Sequence, residues 1–322
     1  MSTTPALDLS ALQTFVAFCE AGSMTAAAAR LGVSQSAVSQ LVARLERDMA
    51  CALLDRDARP AQLTNAGRTL LALAQDLLAH ANRVAERVRQ GGLTAHPRIR
   101  LGCVDSFAAT VGPALIRALS TDASELHLGS GLTPDLLDQL LGRQLDLAIC
   151  TDAASSQPRL VQTPLFAERF VLVLPATFAQ APVPELADLS TRLPLIRYSL
   201  RSVIGQQVER YLRHVGLQTG RRFEFDATDA LLSLVAAGLG WAISTPLCLW
   251  QSRHLIGQVA VFPLAASALA QREFFLLEHR GEWQQLSQDM ARVTRQVMQQ
   301  TLVPDIRAAL PALGDDAFEI FA

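Results

Sequence analysis

Residues 23–46 read Ser23-Met24-Thr25-Ala26-Ala27-Ala28-Ala29-Arg30-Leu31-Gly32-Val33-Ser34-Gln35-Ser36-Ala37-Val38-Ser39-Gln40-Leu41-Val42-Ala43-Arg44-Leu45-Glu46. Ser23 is placed to cap a short helix over Met24 to Leu31, whose run of alanines lets neighbouring helices approach closely. Gly32-Val33 makes a tight turn, and Ser34 caps a third helix running to about Asp48. On that helix Val38, Leu41 and Leu45 share an inward face, while Gln35, Ser36, Ser39, Gln40 and Arg44 face outward. Two short helices joined by a tight turn, the second with an outer face of Ser, Gln and Arg, suit reading of a DNA major groove. Gln pairs with adenine, Arg with guanine, and Ser with phosphate or base edges. An ordinary helical hairpin with a solvated polar face has the same periodicity, and the spacing alone does not separate the two.

The flanks extend the pattern in both directions. Upstream, Ser10 and Gln13 fit a capping box, and Leu12, Phe15, Val16 and Cys19 follow at helical spacing up to a break at Gly22. Downstream, Leu53-Leu54-Asp55-Arg56 and Leu63-Thr64-Asn65-Ala66-Gly67 precede a long helical segment. From Thr64 to about Gln90 the positions Leu70, Ala74, Leu77, Ala81, Val84 and Val88 recur at alternating steps of four and three. That is the seam of a coiled coil, whereas a helix lying on its own domain would show a broader stripe. Gly91-Gly92 ends the helix at a hinge.

The ordered series from Ala26-Ala27 through Leu31-Gly32-Val33-Ser34-Gln35-Ser36-Ala37-Val38-Ser39-Gln40 and Leu45-Glu46 to the Asn65-Ala66-Gly67 turn resembles the winged helix-turn-helix of LysR-type transcriptional regulators. The resemblance implies that Ser34, Gln35, Ser36, Ser39, Gln40 and Arg44 face DNA. It also implies that Arg56 and Arg59 serve the wing, where arginine enters a minor groove or holds phosphate. It further implies that the linker helices of two chains pair, giving a dimer or tetramer. Ala50 stands where that family usually has glycine, and Leu54 where it usually has phenylalanine. Residues 1–60 carry five arginines against six acidic side chains, so non-specific affinity for phosphate is expected to be modest unless a dimer doubles the contacts.

From Pro97 onward short apolar runs alternate with amphipathic helices, which argues for an α/β fold. Strands are expected over Arg98–Val104, Leu126–Leu128, Leu145–Ile149, Phe170–Leu174, Leu195–Ile196 and Trp241–Ser244. The landmarks Gly102, Leu145-Asp146-Leu147-Ala148-Ile149, Leu172-Val173-Leu174-Pro175 and Val235-Ala236-Ala237-Gly238-Leu239-Gly240 are similar to the effector domain of the same regulators. Its two α/β lobes are like type 2 periplasmic binding proteins. Such a fold holds its ligand between the lobes, at helix N-termini whose free N–H groups favour anions. Ser106, Thr133 and Ser199 fit those places. Arg201, together with Arg197 and Thr228, is a candidate to hold a carboxylate. For each Ser or Thr simple capping is the competing role, and for the arginines a solvated surface position.

The expected organisation is α+β and multidomain: a winged helix-turn-helix over 1–67, a linker and dimerisation helix with its hinge over 68–92, and an effector domain over 93–303. Lobe I would take about 93–165 and 266–303, and lobe II about 166–265. Trp283 to Leu302 reads as a helix closing at Pro304. The tail over 304–322, ending Asp315-Asp316-Ala317-Phe318-Glu319-Ile320-Phe321, is expected to be disordered, with docking on a second subunit as the sharper alternative.

The rest of the composition removes whole classes of function. All 28 basic residues are arginine, which excludes a lysine-dependent phosphate loop or Schiff base. The Gly238-x-Gly240 pattern follows a helix and leads into a strand, the reverse of a dinucleotide site. Five scattered cysteines without a C-x-x-C pair and six histidines without H-E-x-x-H spacing argue for reduced, buried thiols and against a metal. No cofactor and no catalysis are expected. No apolar run reaches the ~20 residues of a membrane span and no basic-then-apolar leader opens the chain, so a cytoplasmic location is expected. The expected partners are double-stranded DNA at a promoter or operator, a small anionic effector, a second copy of the chain and RNA polymerase, with no membrane. The alternative is a ligand-binding sensor acting through protein contacts with weak or no DNA binding.

Overall fold

The computed structural model describes residues 7–55, 62–89, 98–119, 125–152, 157–180, 182–265 and 267–321. The chain divides into two compact units, Met1–Ala95 and His96–Ala322.

In the first unit α1 (Leu9–Ala21), α2 (Met24–Leu31) and α3 (Gln35–Asp48) pack around Leu12, Phe15, Val38, Val42 and Leu45. Ala27 and Ala28, both buried, keep the helices close enough for these larger side chains to meet. Ser23 and Ser34 cap α2 and α3 through the N–H groups of Ala26 and Ala37. At α1 the cap is Asp8 and not Ser10: the Asp8 carboxylate accepts from the Ser10 N–H at 2.9 Å, so the helix begins two residues earlier than the capping box suggests. On α3 the fully buried partner of Val38 and Leu45 is Val42, with Leu41 only half-buried.

Strands β1 (Leu54–Asp55) and β2 (Gln62–Leu63) pair antiparallel as the base of the wing. The wing tip, residues 56–61, lies outside the described residues. Leu54 is buried in the helical core. Glu46 fastens the wing to α3 by accepting the Leu53 and Leu54 N–H groups at 2.9 and 3.2 Å. The long helix α4 (Asn65–Arg89) starts where Thr64 donates to the Ala52 carbonyl and accepts from the Gly67 N–H. Gly67 passes so close to the wing that a Cβ there would stand 2.2 Å from the Leu53 carbonyl oxygen. The seam read from the sequence divides in two. Leu70 and Ala74 pack into the helical core, and the exposed apolar stripe is Leu73, Leu77 and Val84, at 52%, 38% and 49% exposure. The Val88 side chain and the Gly91-Gly92 hinge lie outside the described residues.

The second unit has two lobes. Lobe I is a six-stranded sheet in the order β4 (Leu126–Gly131), β3 (Ile99–Val104), β5 (Leu147–Thr151), β12 (Gln271–His279), β6 (Leu160–Arg169) and β13 (Phe318–Ile320). Strands β4, β3 and β5 are parallel neighbours, and β12, β6 and β13 are antiparallel. Helices α5 (Asp105–Thr110), α6 (Gly112–Leu119), α7 (Thr133–Leu141) and α12 (Gln284–Val297) belong to this lobe. Lobe II has the antiparallel set β10 (Ala242–Ser244), β7 (Val171–Pro175) and β11 (Val259–Pro263). A parallel Leu195–Trp241 bridge joins it to the pair β8 (Ile196–Tyr198) and β9 (Phe223–Phe225). Its helices are α8 (Leu186–Arg192), α9 (Val203–His214), α10 (Thr228–Ala236) and α11 (Pro246–Gln251). The chain crosses between lobes after β6 and again before β12.

Besides the tail strand β13, two strands of lobe I, β6 and β12, are absent from the sequence reading. Pro164 within β6 argues against a strand, since it cannot donate to a ladder. The sheet accommodates it with a register shift, Phe274 facing Phe166 while Phe275 faces Pro164. Pro304 also fails to end the last helix. A π-helical segment, Met298–Leu302, resets the register so that Pro304 falls in the first turn of α13 (Val303–Ala309), where no intrahelical N–H is required of it. The tail, expected to be disordered, folds back on its own lobe. Strand β13 pairs with β6, Phe318 opposite Glu168, and Ile306, Ala317 and Phe318 are buried in the lobe's own core.

Candidate nucleic-acid interface and ligand cleft

Helix α3 turns its outer face fully to solvent. Ser34, Gln35, Ser36, Ser39, Gln40 and Arg44 are all exposed. Ser34 serves the cap, and its hydroxyl lies 2.9 Å from that of Ser36. The side chains of Gln35, Ser39 and Gln40 make no hydrogen bond among the described residues, so their amide and hydroxyl groups remain available to a partner. Arg44 is differently placed: its guanidinium reaches Asp8 at 3.3 Å and Asp48 at 3.7 Å. Such exposed pairs stabilise weakly, at about 0–1 kcal/mol, and yield readily to a phosphate. Arg30 is likewise tied to Glu20 at 2.7 Å.

Two arginines not singled out from the sequence have no carboxylate partner among the described residues. Arg47 is exposed one turn beyond Arg44 and donates only to the Ala43 carbonyl. Arg68, in the first turn of α4, donates to Leu63 and Asn65. Both line the groove between the end of α3, the wing and the start of α4. The signal for Arg47 was its i+7 spacing from Gln40; nothing local marks Arg68, because the wing brings it there. Arg56 and Arg59 lie outside the described residues.

The second site is a cavity of about 50 Å³ between the two lobes. Val104, Asp105 and Ser106 reach it from the β3–α5 junction, Leu132 and Thr133 from the start of α7, and Thr151 from the end of β5. Lobe II contributes Tyr198, the first turn of α9 (Ser202, Val203, Ile204), Asp226, Thr228 and Cys248. Sheet strands thus end, and helices begin, around one space.

Arg272, from β12, is the cavity's buried cation. Its Nε donates to Glu168 at 2.7 Å, and one terminal nitrogen donates to the Ser106 hydroxyl at 3.0 Å and lies 3.4 Å from the Cys248 sulfur. Its guanidinium also lies 4.8 Å from the Phe274 ring centre, and Phe274 stacks on Phe166 at 4.3 Å. Burial opposes its charge, but Cys248 and Glu168 outweigh that, holding the guanidinium charged well above its ordinary range. Glu168 uses its second oxygen to accept the Leu247 N–H of α11 at 2.8 Å. Because Ser106 accepts from Arg272, its own proton is left as a donor. Tyr198 similarly donates to Thr228 at 3.2 Å and approaches Ser244 at 2.9 Å, so the Thr228 proton is left over. Burial first, then the neighbouring Cys248, pushes the Tyr198 hydroxyl up and keeps it protonated.

Ser106, Thr133 and Thr228 therefore come together at the cavity, while Ser199 and Arg201 stand behind its wall. Ser199 donates to Asp226, and Arg201 is mostly exposed with its guanidinium 3.4 Å from the same carboxylate. Arg197 is buried on the far side, bonded to Glu209 and Thr219. Its expected role in holding a ligand carboxylate fails because its charge is already neutralised. The cavity residues missed from the sequence, above all Arg272 and Asp226, come from strands or loops that carry no local signature.

Two family models match the chain: the bacterial regulatory helix-turn-helix protein of the lysR family over residues 9–68, and the LysR substrate binding domain over residues 94–309. Among curated relatives, the uncharacterized HTH-type transcriptional regulator YusT of Bacillus subtilis (strain 168) is 27% identical over 268 residues, covering 83% of this chain and 88% of its own. Among solved structures, a full-length OxyR variant from Pseudomonas aeruginosa matches with a TM-score of 0.61 at 22% identity, covering 96% of this chain and 98% of its own. Full-length CbnR in complex with its target DNA matches with a TM-score of 0.57 at 21% identity, covering 94% and 100%. At these identities the likeness is one of fold.

Proposed function

The chain belongs to the LysR family of bacterial transcriptional regulators, and from that membership we propose how its own residues do the work. The reading is of a DNA-binding regulator whose α3 enters the major groove. There Gln35, Ser36, Ser39 and Gln40 meet base edges and phosphates, and Ser34 presents the helix N-terminus to the backbone. Arg44 exchanges its carboxylates for phosphate, and Arg56 and Arg59 serve the wing. The observation that carries this reading is the outer face of α3: exposed, polar, and largely without hydrogen bonds of its own.

One such face binds weakly where acidic side chains match the arginines, so two copies are needed. The Leu73, Leu77 and Val84 stripe of α4 supplies the pairing surface, and further association gives a tetramer. A small effector with an anionic group sits in the cavity against Ser106, Thr133 and Thr228. By preferring one lobe geometry it shifts the spacing of DNA-bound copies, within the limit set by its differential affinity. The protein acts in the cytoplasm alongside RNA polymerase, without catalysis of its own. No helix among the described residues is long and apolar enough to cross a membrane.

A gel shift of the full-length protein on DNA from upstream of its own gene tests the proposal. Specific retention that falls steeply with salt is expected, by about 10³-fold or more between 50 and 200 mM if at least six phosphates are contacted. The pairing of Arg30 and Arg44 with carboxylates motivates the second reading, a sensor acting through protein contacts. That reading requires no specific retention at any salt.

A further inference from the structure

The charges around the interlobe cavity do not suit a simple anion. Its lining carries two carboxylates, Asp105 and Asp226, and one guanidinium, Arg272, which Glu168 already neutralises. Arg201 lies behind Asp226 and Arg197 is turned away, so neither offers a free positive charge. Asp105 makes no hydrogen bond or ion pair among the described residues, although it stands exposed at the cavity edge. A ligand carrying only a carboxylate would meet the unpartnered Asp105 and no unspent cation.

Hydrogen-bond donors are nevertheless plentiful. The Ser106 and Thr228 protons are left over by the Arg272 and Tyr198 bonds. The Val203 and Ile204 N–H groups, in the first turn of the twelve-residue helix α9, have no acceptor among the described residues, and both residues line the cavity. Such an array receives a carboxylate through hydrogen bonds and the helix dipole. The cavity therefore offers donors for an anionic group and, for a cationic one, the unpartnered Asp105 beside Asp226, which Ser199 and the mostly exposed Arg201 share. The side chains of Val104, Leu132, Val203 and Ile204 are available to an apolar remainder.

We propose that the effector is a zwitterion of the α-amino-acid class, its carboxylate held by Ser106, Thr228 and the N-terminus of α9, and its ammonium by Asp105 and Asp226. This inference rests on the cleft being the effector site and adds the charge pattern that selects the ligand.

The test is calorimetric titration of the full-length protein with the proteinogenic L-amino acids. For each one that binds, the matched deaminated acid and decarboxylated amine are then titrated. At least one amino acid is expected to bind, with its acid and amine each about tenfold or more weaker, because each forfeits one charged contact. Asp105→Asn and Asp226→Asn are expected to weaken that amino acid about ten- to hundredfold and to leave the deaminated acid no weaker. The unliganded thermal transition of each variant checks folding, since asparagine can still accept from Ser199. The proposal is overturned if the deaminated acid binds as tightly as the amino acid, if the amine does, or if no amino acid binds. In the first two cases the cleft reading survives, provided that Thr228→Val also weakens binding. A ligand indifferent to Thr228→Val and Asp226→Asn binds elsewhere and removes the cleft reading itself.

Discussion

Ala50 closes α3 with a backbone φ of +52°, the left-handed region in which a Cβ costs about 1–2 kcal/mol. Glycine would remove that strain at the cost of a more flexible unfolded chain. Ala50→Gly is therefore expected to stabilise the first unit by about 0.5–1 kcal/mol. A thermal midpoint that stays still or falls would show that the turn is not strained. The cysteines differ equally sharply by position. Cys103, Cys150 and Cys248 are buried, Cys19 is half-buried with burial pushing its thiol up to about 11, and Cys51 alone is exposed. A thiol reagent at pH 8 is expected to label Cys51 rapidly and the native protein's other thiols slowly, because only the thiolate reacts. Fast release of a second equivalent would contradict the burial of the remaining thiols.

At the scale of elements, α3 and α4 divide the regulatory work. Ser36→Ala and Gln40→Ala are expected to lower operator affinity by about 1–3 kcal/mol each if they read base edges. Arg47→Ala should instead weaken binding evenly across sequences and reduce the salt slope by about one. Unchanged affinity in all three would remove α3 from the groove. On α4, Leu77→Glu introduces a charge into the exposed apolar stripe. The expected result is a shift toward monomer in sedimentation, with a parallel loss of operator binding.

The second unit is held together by contacts between parts distant in sequence. Arg272 and Glu168 form a buried pair 104 positions apart, and β13 lies along β6 beside it. Removing one partner of such a pair leaves an uncompensated charge, so Arg272→Met is expected to cost about 3–5 kcal/mol, much of it recovered in the double variant Arg272→Met/Glu168→Leu. Phe318→Ala should cost about 3 kcal/mol, the lower end for a buried phenylalanine, since β13 is an edge strand. If denaturant melts of Phe318→Ala overlay the parent, the tail is an ornament and not part of the lobe.

The helix-turn-helix, its serine caps at Ser23 and Ser34 and its polar outer face were legible because each depends on residues within a few turns of one another. Local spacing sets which side of a helix is apolar, and nothing distant is needed to bring Gln35, Ser36, Ser39 and Gln40 to the same face. The alternation of strands and helices in the second unit was legible for the same reason, as were Ser106, Thr133 and Thr228, each at a strand-to-helix junction. Hydrophobic periodicity does not record which partner covers an apolar stripe, so it could not divide Leu70 and Ala74 from Leu73 and Leu77. It also could not foresee that β6 would keep Pro164 by shifting register, or that the tail would return as a strand. The cavity's charges were decided only by tertiary structure. Coulomb interactions act through space, so whether Arg197, Arg201 or Arg272 is spent depends on Glu209, Asp226 and Glu168, which the folded chain brings to them.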